Sequence, residues 1–175
     1  MRLETKKRKP AARKVEDVIL FAVGPARFAV AAGAVDEIRS MEGLARHEPG
    51  YLSKFTKVRY RLVRENKDPQ KTYFVVDAAA HFGLQKSRAS KVLVLRGAGG
   101  ALLVDGIERI AQIASIVELP KAFRGPEREW YRGLAIIDGL VIPVLHPDAV
   151  LNKGEIAVLL AEDRTGSAER KAATA

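Results

Sequence analysis

Short apolar runs separated by turn residues dominate the first part of the chain. Residues 18–23 and 27–30 are two β-rich runs on either side of a Gly24-Pro25 turn, and another run at 35–38 follows a glycine. Runs of this length, bounded by glycine and proline, are typical of β-strands. The pattern therefore predicts a hairpin followed by a returning strand.

The same order of elements occurs a second time. A strand, a glycine-rich turn, a strand and a further strand follow 74 positions later, at 92–95, 97–100, 101–104 and 107–110. Residues 73–82 and 141–150 also match, and each has an apolar strand, a polar cap and a short helical turn. Aligning Val75 with Val144 gives an offset of 69 positions. Two offsets of similar size indicate a duplicated β-rich unit, much longer than the repeats of solenoids.

Turn chemistry predicts several local features. Asp138-Gly139 lies between two apolar runs and is a strong hairpin signal, because both residues tolerate positive φ. Asp77 and His146 stand where helical turns would begin, and Gly83 stands where the first would end. Strands this short and turns this frequent favour small barrels, which remove exposed sheet edges.

The domain boundaries are expected where the apolar pattern ends. We expect one mainly β domain with two lobes and a terminal helix: about 15–162 overall, 15–85 and 88–150 for the lobes, and 148–162 for the helix. Gly154 interrupts the helical stretch, which predicts two short helical pieces. Residues 1–14 and 163–175 lack apolar periodicity, so we expect a disordered basic tail and a disordered polar tail.

Positive charge is concentrated in two segments. The chain carries 30 Lys plus Arg against 21 Asp plus Glu, a formal net charge of +9. Residues 1–14 contribute +6 and residues 54–71 contribute +5, so the rest of the chain is slightly acidic. Such segments are either solvated surface or arms that bind anionic lipid, nucleic acid or an acidic partner.

Residue types that support catalysis or metal binding are sparse. The chain has no cysteine, which excludes disulfides, thiolate nucleophiles and Cys-ligated metals. His47, His81 and His146 are far apart, and none has the i, i+4 partner of a helical metal site. The glycines at 97–100 fit a hairpin better than a phosphate loop, because a strand follows them. We therefore expect no enzyme activity, no metal and no cofactor.

Length and hydropathy indicate a cytoplasmic protein. A chain of 175 residues with 47% hydrophobic residues can bury a core without covalent staples. No apolar stretch reaches the roughly 18 residues of a membrane span, and none follows the basic N-terminal residues as in a signal peptide.

The order and spacing of these motifs resemble the CheW-like domains of the chemotaxis coupling family. The resemblance covers about residues 17–160 and rests on the segments 19–24, 28–30, 35–38, 92–95, 103–110, 116–120, 130–142 and 144–145. It implies two SH3-like five-stranded β-barrel lobes. It also implies a non-catalytic scaffold.

The resemblance further implies partners and contact residues. CheW-like proteins couple the regulatory domain of a histidine kinase to the cytoplasmic tips of methyl-accepting chemoreceptors, so the chain is expected at membrane-associated receptor arrays. Val35 and Ile38 fall where the family meets the kinase, and core packing is the alternative for both. Arg59 falls on the arginine of the family's Asn-Leu-Arg-Gly motif, with an ordinary exposed cation as the alternative. Ile110 falls on an apolar position of the family. The resemblance places Arg59 and Ile110 on the receptor side.

The basic segment departs from the family pattern. Lys54 stands where the family has a glycine, and residues 57–60 read Lys-Val-Arg-Tyr instead of Asn-Leu-Arg-Gly. Residues 61–71 form a longer, charged stretch than the family has at this point. Loss of glycine removes easy access to positive φ, so we expect a different backbone path here.

A small-barrel nucleic-acid binder is the competing hypothesis. The basic tail and residues 54–71 would form an electrostatic groove, and Tyr51, Phe55, Tyr60 and Tyr73 are interleaved aromatics that could stack on bases. Such binders need their aromatic side chains on one sheet face.

Overall fold

Eleven strands and two helices build the described part of this computed structural model, which comprises residues 15–46, 55, 57–64, 71–85, 88–97 and 99–173. Their bounds are β1 Glu16–Val23, β2 Ala26–Ala31, β3 Val35–Ser40, β4 Ala45–Arg46, β5 Val58–Arg64, β6 Lys71–Asp77, α1 Ala78–His81, β7 Lys91–Leu95, β8 Gly100–Val104, β9 Gly106–Ile113, β10 Tyr131–Ile137, β11 Leu140–Leu145 and α2 Lys153–Ala173. Short 3₁₀ turns lie at Ala32–Ala34, Pro126–Trp130 and Pro147–Ala149. The basic tail predicted for residues 1–14 is outside these described residues.

The strands form two sheets, the same number as the predicted lobes. The five-stranded sheet has the order β10-β11-β2-β1-β9, and the six-stranded sheet has the order β3-β7-β8-β6-β5-β4. Adjacent strands are antiparallel except β11 with β2 and β6 with β8, which are parallel. The prediction of a mainly β fold is confirmed.

Each sheet takes strands from both halves of the chain. The β1–β2 hairpin lies with β9 to β11, and the β7–β8 hairpin lies with β3 to β6. The lobe boundaries expected at 15–85 and 88–150 therefore differ from the sheets. The two repeated hairpins exchange places because β1 pairs with β9 and β7 pairs with β3, and pairings this distant in sequence leave no local pattern.

The predicted hairpin turns adopt the expected geometry. Asp138 and Gly139 have φ values of 52° and 77° between β10 and β11, as a tight turn with two positive φ angles requires. The glycine-rich residues 97–100 join β7 to β8 and do not precede a helix. Both turns confirm the sequence prediction.

Alternate residues of the central strands face two different cores. The largest apolar cluster draws from both sheets and from α2, and it includes Phe21, Leu93, Leu102 and Leu159. Two smaller clusters lie on the opposite faces, one within each sheet. Strands buried on both faces read as continuous apolar runs, which explains the sequence of β7 and β8.

The C-terminal helix differs from the predicted range of 148–162. A separate 3₁₀ turn occupies Pro147–Ala149, and α2 then continues to Ala173, so its backbone is helical across most of the predicted disordered tail. Asn152 and Glu155 begin the helix with reciprocal bonds: the Glu155 N–H donates to Asn152 Oδ1 at 2.9 Å, and the Asn152 N–H donates to Glu155 Oε2 at 2.8 Å. The residues beyond 166 are mostly good helix formers, so they extend the helix without an apolar stripe.

Candidate functional site

β3 carries the two residues that the family resemblance places on the kinase side. Val35 is 8% exposed and packs in the core between the sheets, whereas Ile38 is 43% exposed. β3 is an outermost strand of the six-stranded sheet, so Ile38 lies at a sheet edge. For Val35 the structure favours the core-packing alternative, because the side chain is buried between the sheets.

Arg59 occupies a β-bulge. Val58 lies opposite Val76 and Tyr60 lies opposite Val75, so Arg59 is the additional residue of β5 at this point. Bulges redirect side chains and are frequent beside functional sites. The Arg59 side chain is 58% exposed, and its Nε lies 4.0 Å from Asp77 Oδ2.

Asp77 is fixed in place by the start of α1. Its Oδ1 accepts hydrogen bonds from the backbone N–H groups of Ala79, at 3.0 Å, and Ala80, at 3.3 Å. The helix cap predicted at Asp77 is therefore confirmed. A separation of 4.0 Å is too long for a hydrogen bond to Arg59. Among the described residues, this ion pair is the one polar contact that the Arg59 side chain makes.

An open cleft of about 570 Å³ lies around Arg59 on the six-stranded sheet. The charged groups among its described lining residues are three arginines and one aspartate: Arg46, Arg59, Arg88 and Asp77. The apolar groups beside them are Met41, Tyr60, Ala79, Ala80, Leu84, Ala89 and Leu103. We call this feature the arginine cleft. It combines an excess of positive charge with apolar surface.

Ile110 lies on the other sheet from Arg59. It is directly opposite Ile19 across the β1–β9 pair, and directly opposed residues project from the same face of a sheet. Ile19 is buried in the core between the sheets, whereas Ile110 is 66% exposed. Ile110 therefore extends that core to the surface at an outermost strand. The two receptor-side candidates, Arg59 and Ile110, lie in different sheets.

Two basic residues of the segment 54–71, one just before β5 and one within it, pair with acidic residues of α2. The Lys57 Nζ donates to the carbonyl oxygen of Val150 at 3.0 Å and lies 3.5 Å from Glu155 Oε1. Arg61 forms an ion pair with Asp163 in which both side chains are about three quarters covered. These cations are engaged within the chain and are not free to line a groove for phosphates.

The described aromatic residues in and beside the segment 54–71 are largely covered. Tyr73 is 2% exposed, Phe55 packs against the core between the sheets, and Tyr60 packs against the core of the six-stranded sheet. Tyr51 is outside the described residues. Base stacking needs exposed rings, so the described aromatics do not form the platform that the nucleic-acid hypothesis requires.

His81 belongs to a buried aromatic cluster beside α1. Its ring centroid lies 4.4 Å from that of Trp130 and 4.9 Å from that of Phe82. Burial, with a smaller contribution from the charge of Lys57, lowers the pKa of His81 from 6.5 to about 4. The imidazole is therefore neutral near pH 7, and its Nε2 has no hydrogen-bond partner among the described residues. We interpret it as a core residue.

Other polar side chains in the described region stabilise turns and strand pairs. Asp105 accepts from the Gly24 N–H at 2.9 Å, and Glu108 pairs with Arg27 at 2.8 Å. No three histidine or carboxylate side chains within the described ranges converge on a possible metal site. None of the described helices is both long and apolar enough to cross a membrane.

Sequence reasoning did not identify Arg46 or Arg88 as part of a site. Arg46 lies on the two-residue strand β4, opposite Tyr60, and Arg88 lies between α1 and β7. Neither residue belongs to a recognisable motif. Only the strand register, which brings β4 alongside β5, could have revealed the cluster.

Comparison with known proteins identifies a related family and a related structure. A family model described as the CheW-like domain matches residues 17–155. The crystal structure of the scaffolding protein TtCheW from Thermoanaerobacter tengcongensis is similar, with a TM-score of 0.64 and 16% sequence identity. The match covers 80% of this chain and 96% of that chain, and at this identity it shows a shared fold. No curated protein sequence matches the chain.

Proposed function

Because the chain belongs to the CheW-like domain family, we propose that it is a non-catalytic chemotaxis scaffold that couples the regulatory domain of a histidine kinase to the cytoplasmic tips of chemoreceptors. The scaffold acts by holding two proteins together, so it needs two separate binding surfaces and no chemical site. This function places the chain at receptor arrays on the cytoplasmic side of the membrane.

The observation that carries the proposal is the exposure of two isoleucines on different sheets. Ile38 lies on an outermost strand of the six-stranded sheet, and Ile110 lies on an outermost strand of the five-stranded sheet. Exposed apolar side chains at sheet edges favour association with partners. We assign Ile38 to the kinase and Ile110, with Arg59, to the receptor.

Titration of the purified chain with each partner tests this assignment. The probes are the kinase regulatory domain and a receptor tip fragment encoded by the same genome. Ile38→Arg should weaken kinase binding at least tenfold, or about 1.4 kcal/mol, and leave receptor binding unchanged, because it places a charge in an apolar contact. Ile110→Arg should have the reverse effect.

Matched substitutions separate loss of contact from loss of fold. Val158→Arg introduces the same charge at an exposed apolar position of α2 and should affect neither titration. Val35→Arg should unfold the protein, as circular dichroism would show, because Val35 is buried. Wild-type protein that binds neither partner would contradict the proposed function.

The nucleic-acid hypothesis has less support from the described residues. Lys57 and Arg61 are paired with acidic groups of α2, and Lys71 donates to the Gly97 carbonyl oxygen at 2.9 Å. The same titrations, performed with single-stranded DNA and RNA, test it directly. Binding tighter than about micromolar at physiological salt would favour this alternative, because non-specific binding is weaker under those conditions.

A further inference from the structure

A second open cleft, of about 560 Å³, lies where the start of β10 meets the start of α2. Its described lining comes from three parts of the chain: Lys57 just before β5, residues within 126–131, and residues within 146–155. The lining includes Trp130, the only tryptophan of the chain. We call this feature the tryptophan cleft. It is separate from the arginine cleft, because the two share no described lining residue.

The uncompensated charges of the tryptophan cleft are negative. Glu129 and Asp148 are exposed, and neither forms an ion pair or a side-chain hydrogen bond with another described residue. Lys57 also lines the cleft, but Glu155 lies 3.5 Å away and the Val150 carbonyl oxygen accepts from it at 3.0 Å. Three carboxylates and one lysine leave an excess of two negative charges among the described lining residues. Charge complementarity therefore favours a cationic occupant.

The aromatic part of the cleft narrows the choice of occupant. The Trp130 ring contacts His81, with 4.4 Å between centroids, and the residue is partly exposed at the cleft beside Tyr131. Tryptophan is the aromatic side chain that attracts Lys and Arg most strongly. A small inorganic cation would use the carboxylates but not the extended aromatic surface. The occupant that fits both is a peptide segment rich in Lys and Arg.

The chain itself supplies such a segment, and it joins the fold near the cleft. The basic tail, residues 1–14, contains seven Lys or Arg and one acidic residue. The described chain begins at Val15, which is 52% exposed, and Glu16 forms a bidentate pair with Arg132 at N–O distances of 2.7 and 3.1 Å. Arg132 directly follows Tyr131, which lines the cleft. Fourteen residues can extend over roughly 46 Å, so the tail is long enough to reach it.

We propose that the basic tail binds in the tryptophan cleft of its own chain, with its Lys and Arg side chains beside Glu129 and Asp148 and against the Trp130 ring. Because the tail is tethered, its effective concentration at the cleft is on the order of millimolar, so contacts that are individually weak are sufficient to hold it. A tail held in this way is withheld from nucleic acid and anionic lipid. The inference is independent of the proposed coupling of kinase and receptor.

Quenching of Trp130 fluorescence in the full chain tests the contact. The chain has no cysteine, so Thr5→Cys provides a single site for a nitroxide label, which quenches tryptophan at close range. Strong quenching is expected at low salt. It should be largely lost at high salt, because the Debye length falls from about 30 Å at 0.01 M to about 3 Å at 1 M. Absence of quenching at low salt would overturn the proposal.

Charge-removing substitutions locate the contact within the labelled chain. Glu129→Gln combined with Asp148→Asn should lower the ratio of bound to free tail about fivefold, as the loss of two exposed ion pairs implies. Glu42→Gln combined with Glu118→Gln removes the same charge at exposed positions outside the cleft and should leave quenching unchanged. Circular dichroism confirms that both double variants are folded. Unchanged quenching in the cleft variant, or an equal loss in the control variant, would overturn the proposal.

A mixing experiment identifies which chain supplies the tail. Labelled Thr5→Cys protein that also carries Trp130→Phe has no tryptophan, so it can quench unlabelled wild type only between chains. No quenching is expected in this mixture. Quenching there would overturn the proposal in favour of a contact between two copies. The kinase and receptor titrations do not depend on either result, so failure of the tail contact and failure of the proposed function are distinguishable.

Discussion

Mild acid should destabilise the fold because one histidine is buried in its neutral form. His81 is 7% exposed among Phe82 and Trp130, and burial together with the charge of Lys57 lowers its pKa from 6.5 to about 4. Between these two values the unfolded chain binds a proton that the folded chain does not. The stability that depends on neutral His81 is therefore fully present above pH 6.5 and is lost as the pH falls toward 4.

The expected size of the effect follows from the difference between the two pKa values. Each pKa unit corresponds to about 1.4 kcal/mol, so the full loss is on the order of 3 kcal/mol and is reached below pH 4. At pH 5 the same linkage relation gives a loss of about 2 kcal/mol in the free energy of unfolding. Domains are commonly stable by about 5–15 kcal/mol, so a loss of this size is measurable without complete unfolding.

Urea unfolding at neutral pH and at about pH 5 measures this loss. Carboxylates also titrate in acid, so the comparison is made with His81→Phe, which keeps an apolar ring in the cluster and removes the titrating group. Wild type should lose about 2 kcal/mol more than this variant between the two pH values. His146→Gln, at an exposed histidine, should behave as wild type. Equal losses in wild type and His81→Phe would refute the reasoning.

Three further substitutions test the structural roles of other residues. Asp77→Ala should lower the free energy of unfolding by about 1 kcal/mol through loss of the α1 cap, whereas Asp77→Asn should cost less because it keeps an acceptor, as urea unfolding can measure. Gly133→Ala should lower the free energy of unfolding by at least about 2 kcal/mol, because Gly133 has φ 150° and a Cβ there would lie 2.3 Å from a backbone carbonyl oxygen. Thermal melts should show a lower melting temperature for this variant and little change for Gly106→Ala, because a Cβ on Gly106 meets open space. Asp163→Asn should accelerate amide exchange in α2, and adding Arg61→Gln should have little further effect, because both remove one ion pair.

Local chemistry made several features predictable from sequence. The Asp138-Gly139 turn, the Asp77 cap and the β7–β8 turn depend on residues that are adjacent in the chain, and all three are present in the structure. The start of α2 differs from the predicted position 148, although Asn152 and Glu155 have the spacing of a capping box in the sequence. The search for apolar periodicity missed the helix beyond 162, since the sequence there has helix propensity but no apolar stripe.

Long-range pairing determined the features that sequence did not predict. The exchange of the two hairpins depends on contacts between β1 and β9 and between β3 and β7, which are distant in sequence. The bulge in β3, which shifts the register between Val35 and Glu37, places Val35 opposite Leu95 and Ile38 opposite Leu93. Both side chains are therefore on the face of the core between the sheets, although Val35 is buried and Ile38 is 43% exposed. The arginine cleft depends on the pairing of β4 with β5, which places Arg46 opposite Tyr60.

The internal repeat explains what Tyr60, where the family motif has a glycine, contributes to the structure. In the second repeat, Arg132 is the additional residue where β10 pairs with β11, and Gly133 follows it. Gly133 has φ 150°, and a Cβ there would lie 2.3 Å from the Val117 carbonyl oxygen. In the first repeat, Tyr60 occupies the corresponding position after Arg59, packs on the core of the six-stranded sheet and lines the arginine cleft. A glycine at position 60 would contribute no aromatic ring to the lining of the cleft. The substitution that weakens the motif in the sequence therefore adds part of the cleft that distinguishes the first bulge from the second.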